Sequence, residues 1–285
     1  MLGPGWTDLV ALAAAFAISA LATPAGISGA VLLLPFQVSV LGTPSPAVTP
    51  TNLLYNVVAT PGALYRYWRQ RQTGGGLAVV LIAGTVPGVV AGSIIRVEFL
   101  PGPQVFDLVV AAILLPLGAR QALSRAPAPI APAAVAAPAA AAAPAGPVGP
   151  AGAVGRRRAI PDFALVLLAA AVGCVGGIYG IGGGSILAPI LIGGGRRPAE
   201  VAPAALASTF VTSLAGVGTF AILSVHQHGA IAPDWSTGVA LGLGGLAGGY
   251  SGARLQSRLP DALIRHLVGV LVIAVGARYL WSGLT

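Results

Sequence analysis

Two long stretches of the chain, 9–65 and 163–195, carry no charged residue. At about 1.5 Å of rise per residue, one membrane crossing takes about 20 apolar residues. The first stretch therefore holds two crossings with residues left over, and the second is too long for one straight helix. Charged and turn residues punctuate the rest. The pattern predicts helices over 8–41, 51–68, 77–95, 105–121, 162–192, 204–225, 235–253 and 261–281. The expected fold class is an all-α membrane protein of about eight transmembrane helices, TM1 to TM8, with TM1 and TM5 broken or re-entrant at glycine-rich segments.

Residues 124–160 interrupt this pattern with a run of Ala, Pro and Gly ending in Arg156, Arg157 and Arg158. Proline recurs too often for a helix to persist, so this segment reads as a disordered tether. It separates a first unit, 1–123, from a second, 161–285, and the two repeat one another. Gly26-Ile27-Ser28-Gly29 leading to Pro35 answers to Gly180-Ile181-Gly182-Gly183 leading to Pro189. The series Gly84, Gly88, Gly92 answers to Gly244, Gly248, Gly252, and Leu100-Pro101 to Leu259-Pro260. Gly118-Ala119-Arg120 answers to Gly276-Ala277-Arg278. Matches in a constant order point to duplication into two homologous four-helix halves. Four crossings per half make the repeats parallel; a re-entrant pass in TM1 and TM5 makes them inverted.

Only 8% of the 285 residues are charged, against roughly a quarter in soluble domains, and the mean hydropathy is +0.88. The surface therefore faces lipid. The net charge of +8 comes from arginines grouped between apolar runs, which suits headgroups and not nucleic acid. With eight crossings, nine arginines fall on the side shared by both termini and six on the other. The positive-inside rule then puts both termini in the cytoplasm, and the chain is expected in the inner membrane. All seven acids fall at predicted segment ends, leaving no carboxylate at the bilayer centre for a cation-coupled carrier. Cys174 stands alone, no metal-ligand cluster forms, and no nucleophile–base pair can be argued, so neither an enzyme nor a cofactor or metal is expected.

The glycine runs at TM1 and TM5 predict unwound backbone, tolerated at membrane depth only in a protein interior or beside a water-filled cavity. The half-helix after each break would present free N–H groups and a positive dipole end to an anion. Candidate residues are Gly26, Ser28 and Gly29 in TM1 and Gly180, Gly182, Gly183, Gly184 and Ser185 in TM5. Asn52 and Asn56 share one face of TM2, and Ser208, Thr209 and Thr212 stand at the start of TM6. These either donate to an oxyanion or bond helix to helix. The four-spaced glycines of TM3 and TM7 read as packing surfaces.

The Gly-Ile-Gly-Gly-Gly-Ser run ending in Pro189, its partner ending in Pro35, and the stretch from Leu241 to Arg254 followed by Leu259-Pro260 resemble the TauE/SafE family of sulfite exporters and sulfonate permeases. The resemblance covers the chain apart from the tether. It implies transport of sulfite, an organosulfonate or a related sulfur-containing anion. Two alternatives stand beside it: a carrier or channel for an uncharged or cationic solute, and a membrane scaffold that transports nothing.

Overall fold

The computed structural model describes residues 4–25, 28–69, 75–100, 102–123, 161–193, 196–227, 229–255 and 261–284. Every regular element among them is helical. In chain order these are α1 (Pro4–Ala25), α2 (Gly29–Phe36) continuing into a π-turn (Gln37–Leu41), α3 (Val48–Ala59), α4 (Pro61–Arg69), α5 (Gly75–Glu98), α6 (Pro103–Leu123), α7 (Asp162–Tyr179), α8 (Gly184–Gly193), α9 (Pro198–His226), α10 (Trp235–Leu255) and α11 (Asp261–Leu284). The tether, Arg156–Arg158 and Gly26 lie outside the described residues.

Gly5–Thr23, Gly75–Glu98, Asp162–Tyr179 and Glu200–His226 are long and apolar enough to cross a membrane. Shorter apolar helical segments follow at Gly29–Leu41, Gln104–Pro116 and Val268–Leu284. The expected TM1 and TM5 are both broken, into α1 with α2 and α7 with α8. The stretch expected as one helix over 51–68 is also divided, between α3 and α4. Pro61 has no N–H to continue the ladder, and the Thr60 amide closes α3 on the Asn56 carbonyl.

Side chains are distributed in the opposite sense to a water-soluble protein. Large apolar groups such as Leu9, Val79, Phe163, Leu167 and Ile222 point outward. Thr49, Asn52, Thr85, Ser208, Thr212 and Ser213 are completely enclosed. Lipid accepts the former without cost, whereas the latter need partners that only the interior supplies.

Three helix pairs pack backbone to backbone. A methyl group on Gly84, Gly88 or Gly92 would strike α7 at Val166, Ala170 and Cys174. One on Gly244, Gly248 or Gly252 would strike α1 at Leu12, Phe16 and Ala20. The glycine ladders are therefore packing faces, as their spacing predicts. Contact positions rise together in both pairs, so α5 runs parallel to α7 and α10 parallel to α1. In the third pair Gly118 meets Ile273 while Gly276 meets Leu115, so α6 and α11 run antiparallel.

Filling a ladder should separate its helices. Gly88→Leu is expected to destabilise the protein by about 1–3 kcal/mol or more, as overpacking does. Gly76→Leu, on the same helix but with open space around it, is expected to be neutral. Thermal unfolding of the two variants in detergent is the measurement.

Candidate binding site at two helix breaks

At the second break α7 stops because Gly180 adopts φ 84°, a left-handed conformation in which its amide closes on the Gly176 carbonyl at 2.7 Å. Gly182 is left-handed too, at φ 66°. These two glycines reverse the chain. A methyl on Gly183 would lie 3.6 Å from the Gly173 Cα, ten positions earlier on α7. From there α8 descends against α9, with Gly184 pressed on the Ala205 carbonyl. Gly183 also abuts Thr85, near the middle of α5, so the N-terminus of α8 begins halfway along the helices around it.

The first break lies between the end of α1 at Ala25 and the start of α2 at Gly29. Ser28 is extended (φ −65°, ψ 131°) and its carbonyl accepts the Val31 amide at 3.0 Å. Gly29, which opens α2, is folded back against the hydroxyls of Ser19 and Tyr55. Those two hydroxyls bond each other at 3.1 Å.

Asn52 joins the breaks. Its amide nitrogen donates to the Ala30 carbonyl at 2.9 Å and to the Gly180 carbonyl at 3.1 Å. Its carbonyl oxygen accepts from the Gln37 amide at 3.1 Å. Asn56 donates to the same Gly180 carbonyl at 3.4 Å. Thr49 donates to Ile178 O at 3.1 Å, and the Tyr179 hydroxyl reaches Val31 O at 3.0 Å. Both asparagine side-chain nitrogens are thus engaged with backbone oxygen.

The hydroxyls of α9 divide into two groups. Thr85 directs its proton to Leu81 O at 2.9 Å and accepts from Thr212 at 2.7 Å; Ser208 lies 2.9 Å from it. These hydroxyls satisfy one another. Thr209 Oγ1 and Ser213 Oγ are buried with no partner. Both face the second break: a methyl on Gly184 would strike Thr209 Oγ1, and one on Gly182 would come within 3.1 Å of Ser213 Oγ. Ser185, the remaining predicted hydroxyl, donates to Ile181 O at 3.1 Å inside the turn. Among the described residues, no backbone carbonyl takes the amides of Gly182, Gly183 or Gly184, as expected ahead of a helical first turn. Donors and a helix dipole therefore converge at the α8 N-terminus.

Thr85, Tyr55, Gln37 and Tyr179 reach this region without a sequence signal that singles them out. Thr85 lies within the glycine ladder of α5, and Tyr55 sits between Asn52 and Asn56 on α3. A further buried polar residue, Arg96, is fully enclosed near the end of α5. It falls one position past the predicted end of that helix and counts there as a loop residue.

Many apolar helices around a polar interior make this a multi-pass membrane protein. The chain belongs to the family described as sulfite exporter TauE/SafE, whose model matches residues 11–279. A probable membrane transporter protein of Xylella fastidiosa (strain 9a5c) is 31% identical over 119 residues, 40% of this chain and 42% of that protein. The probable membrane transporter protein YunE of Bacillus subtilis (strain 168) is 28% identical over 120 residues, 42% of this chain and 41% of that protein. The chain thus spans about two fifths of the length of the curated relatives it matches. Those relatives are named as transporters, not as enzymes. No solved structure matches the chain.

Removing the Asn52 amide takes a donor from the Ala30 and Gly180 carbonyls and leaves the buried Gln37 amide without its acceptor. Asn52→Leu is expected to lower stability by about 1–3 kcal/mol, the typical cost of unsatisfied buried groups. Chemical denaturation in detergent, with Asn52→Asp as a near-isosteric companion, measures it. An unchanged midpoint for Asn52→Leu would remove the amide from its joining role.

Proposed function

We propose that this protein is an inner-membrane permease for a small anion, sulfite or an organosulfonate in the first instance, held at the N-terminus of α8. The observation that carries this is the pair of buried, unpartnered hydroxyls, Thr209 and Ser213, facing a half-helix N-terminus. An oxyanion placed there would accept from both hydroxyls and from the amides of Gly182–Gly184, and would sit at the positive end of the α8 dipole. No cationic side chain is needed. Family membership supports the substrate class, because sulfite is a compact oxyanion rich in acceptors.

The remaining predicted residues have supporting places in this site. Gly180 and Gly182 turn the chain, and Asn52 and Asn56 hold the turn by the Gly180 carbonyl. Ser208, Thr212 and Thr85 form the wall behind Thr209. Ser28 and Gly29 belong to the matching break in α1/α2, and Gly26 lies outside the described residues. There Tyr55 stands one position before Asn56, as Ser208 stands one position before Thr209. The Tyr55 ring takes up the space against Gly29 and Gly245, so the first break offers less room to a solute.

Helix directions support an inverted relation between the two halves, 1–123 and 161–285. Corresponding helices α6 and α11 are antiparallel, whereas a parallel repeat would make them parallel. On this reading α2 and α8 are re-entrant half-helices that meet near the bilayer centre, and the connection from α6 to α7 lies on the side opposite both termini, so the arginine count made for eight simple crossings no longer sets the orientation. The segment 124–160 is a tether between halves.

Uptake of labelled sulfite and sulfoacetate into proteoliposomes is the test. Thr209→Val with Ser213→Ala removes two hydrogen bonds to a charged group, each worth about 1.5–3 kcal/mol. A fall of at least about a hundredfold in anion affinity is expected, since about 1.4 kcal/mol corresponds to one decade. Gly182→Leu, which forces a side chain into a left-handed turn and toward Thr209, is expected to abolish uptake. Deleting 127–152 is expected to leave uptake intact. Normal uptake by the Thr209/Ser213 double variant would overturn the site, and absence of anion uptake by the native protein would overturn the function.

A further inference from the structure

One face of α5 runs polar from the middle of the helix to its end. Thr85, Ser93 and Arg96 fall on this face with Val89 between them, at helical spacing, and all four are completely buried. Thr85 abuts the break at Gly183, as described above. Ser93 lies beside α7 just before that break, since a methyl on Gly177 would come within 2.9 Å of the Ser93 amide. Arg96 is eleven residues beyond Thr85, or about 16 Å along the axis.

Arg96 is a buried guanidinium among apolar helices. Its terminal nitrogens donate to the Leu100 carbonyl and the Ser45 hydroxyl, and its plane lies 3.9 Å from the centre of the Phe106 ring. These partners are all neutral. Asp107 is near enough to act on Arg96 through its field, but it accepts from Ser282 at 2.8 Å and forms no ion pair with Arg96. Two donors on the same face of α5, Arg96 Nε and Ser93 Oγ, are buried without any partner. A charge enclosed at a membrane-helix end with a spare N–H is costly unless something charged visits it.

We infer that Arg96 and Ser93 form a second anion station, farther along α5 from the α8 N-terminus. It rests on the anion reading of the α8 site and adds to it a point of positive charge. The chemistry that fits is an anion with two charged ends or a divalent headgroup. One oxygen would accept from Arg96 Nε while Ser93, one turn back, donates to a neighbour. A station of this kind favours dianions over monoanions, which the neutral donors around α8 do less strongly.

The test compares uptake of sulfoacetate, a dianion, with methanesulfonate, a monoanion, in proteoliposomes containing the native protein, Arg96→Gln, Arg96→Lys or Arg96→Gln/Asp107→Asn. Equal folding is checked by gel filtration and thermal unfolding. Arg96→Gln is expected to raise the half-saturating sulfoacetate concentration about tenfold or more, the loss of one charged hydrogen bond. The change for methanesulfonate should be markedly smaller. Arg96→Lys should recover part of the difference, and removing Asp107 should recover none. The station is overturned if Arg96→Gln behaves as native, if both anions suffer equally, or if Asp107→Asn restores uptake, since Arg96 then serves only to balance Asp107. If Arg96→Gln does not fold, Ser93→Ala decides the matter by the same dianion-to-monoanion ratio. An unchanged ratio overturns the station. Loss of the Arg96 effect alone leaves the α8 site standing, whereas a native protein that moves neither these anions nor sulfite brings down both.

Discussion

A single buried amide holds the interior together. The side chain of Asn52 donates at once to Ala30 O, just after the first break, and to Gly180 O, at the second. Each break exposes carbonyls that the helical ladder no longer satisfies, and in an apolar slab an unsatisfied carbonyl is expensive. One donor group reaches carbonyls of two segments about 150 residues apart, Gly180 O just past the end of α7 and Ala30 O in the first turn of α2. Gln37 fixes which way the amide faces by occupying its oxygen. The left-handed turn at Gly180, the fold-back of Gly183 and the start of α8 beside Thr209 all depend on this fixed point.

On the proposed two-half reading, α3 and α9 use matching positions differently. On α3 the helix carries Asn52, Tyr55, Asn56 and Thr60, and these amides and the ring consume the surrounding space and carbonyls. On α9 the corresponding stretch carries Ala205, Ser208, Thr209 and Ser213. Smaller groups there leave two hydroxyls without partners. Under the proposed duplication, one half braces and the other offers free donors. This asymmetry is what concentrates the proposed site on α8.

Much of this architecture was legible in the chain. The overlong charge-free runs located both breaks, and glycines four apart located the two parallel ladders, because backbone contact admits no other residue. Asn52 was recognisable as a polar residue needing a partner, but not the identity of that partner, since Ala30 and Gly180 are brought to it only by the fold. Thr85 was hidden among ladder glycines, and its network with Ser208 and Thr212 spans more than 120 positions of sequence. Arg96 was assigned to a loop because hydropathy falls at Ile95, yet the α5 hydrogen-bond ladder continues to Glu98. Sequence shows where polar atoms are; only packing shows which of them are left over.

The ladders constrain how such a molecule moves. Where backbones touch through glycine, no side-chain layer remains to be compressed or re-rotamered, so sliding or parting the helices loses contact all along the seam at once. The α1–α10 and α5–α7 pairs are therefore stiff plates. Any alternation of access must be taken up where the seams are softer, along α3 and α9 and at the joint before Pro61. Those elements carry Asn52 and Thr209, so under the proposed function the hinge and the grip on the solute would be one mechanical part.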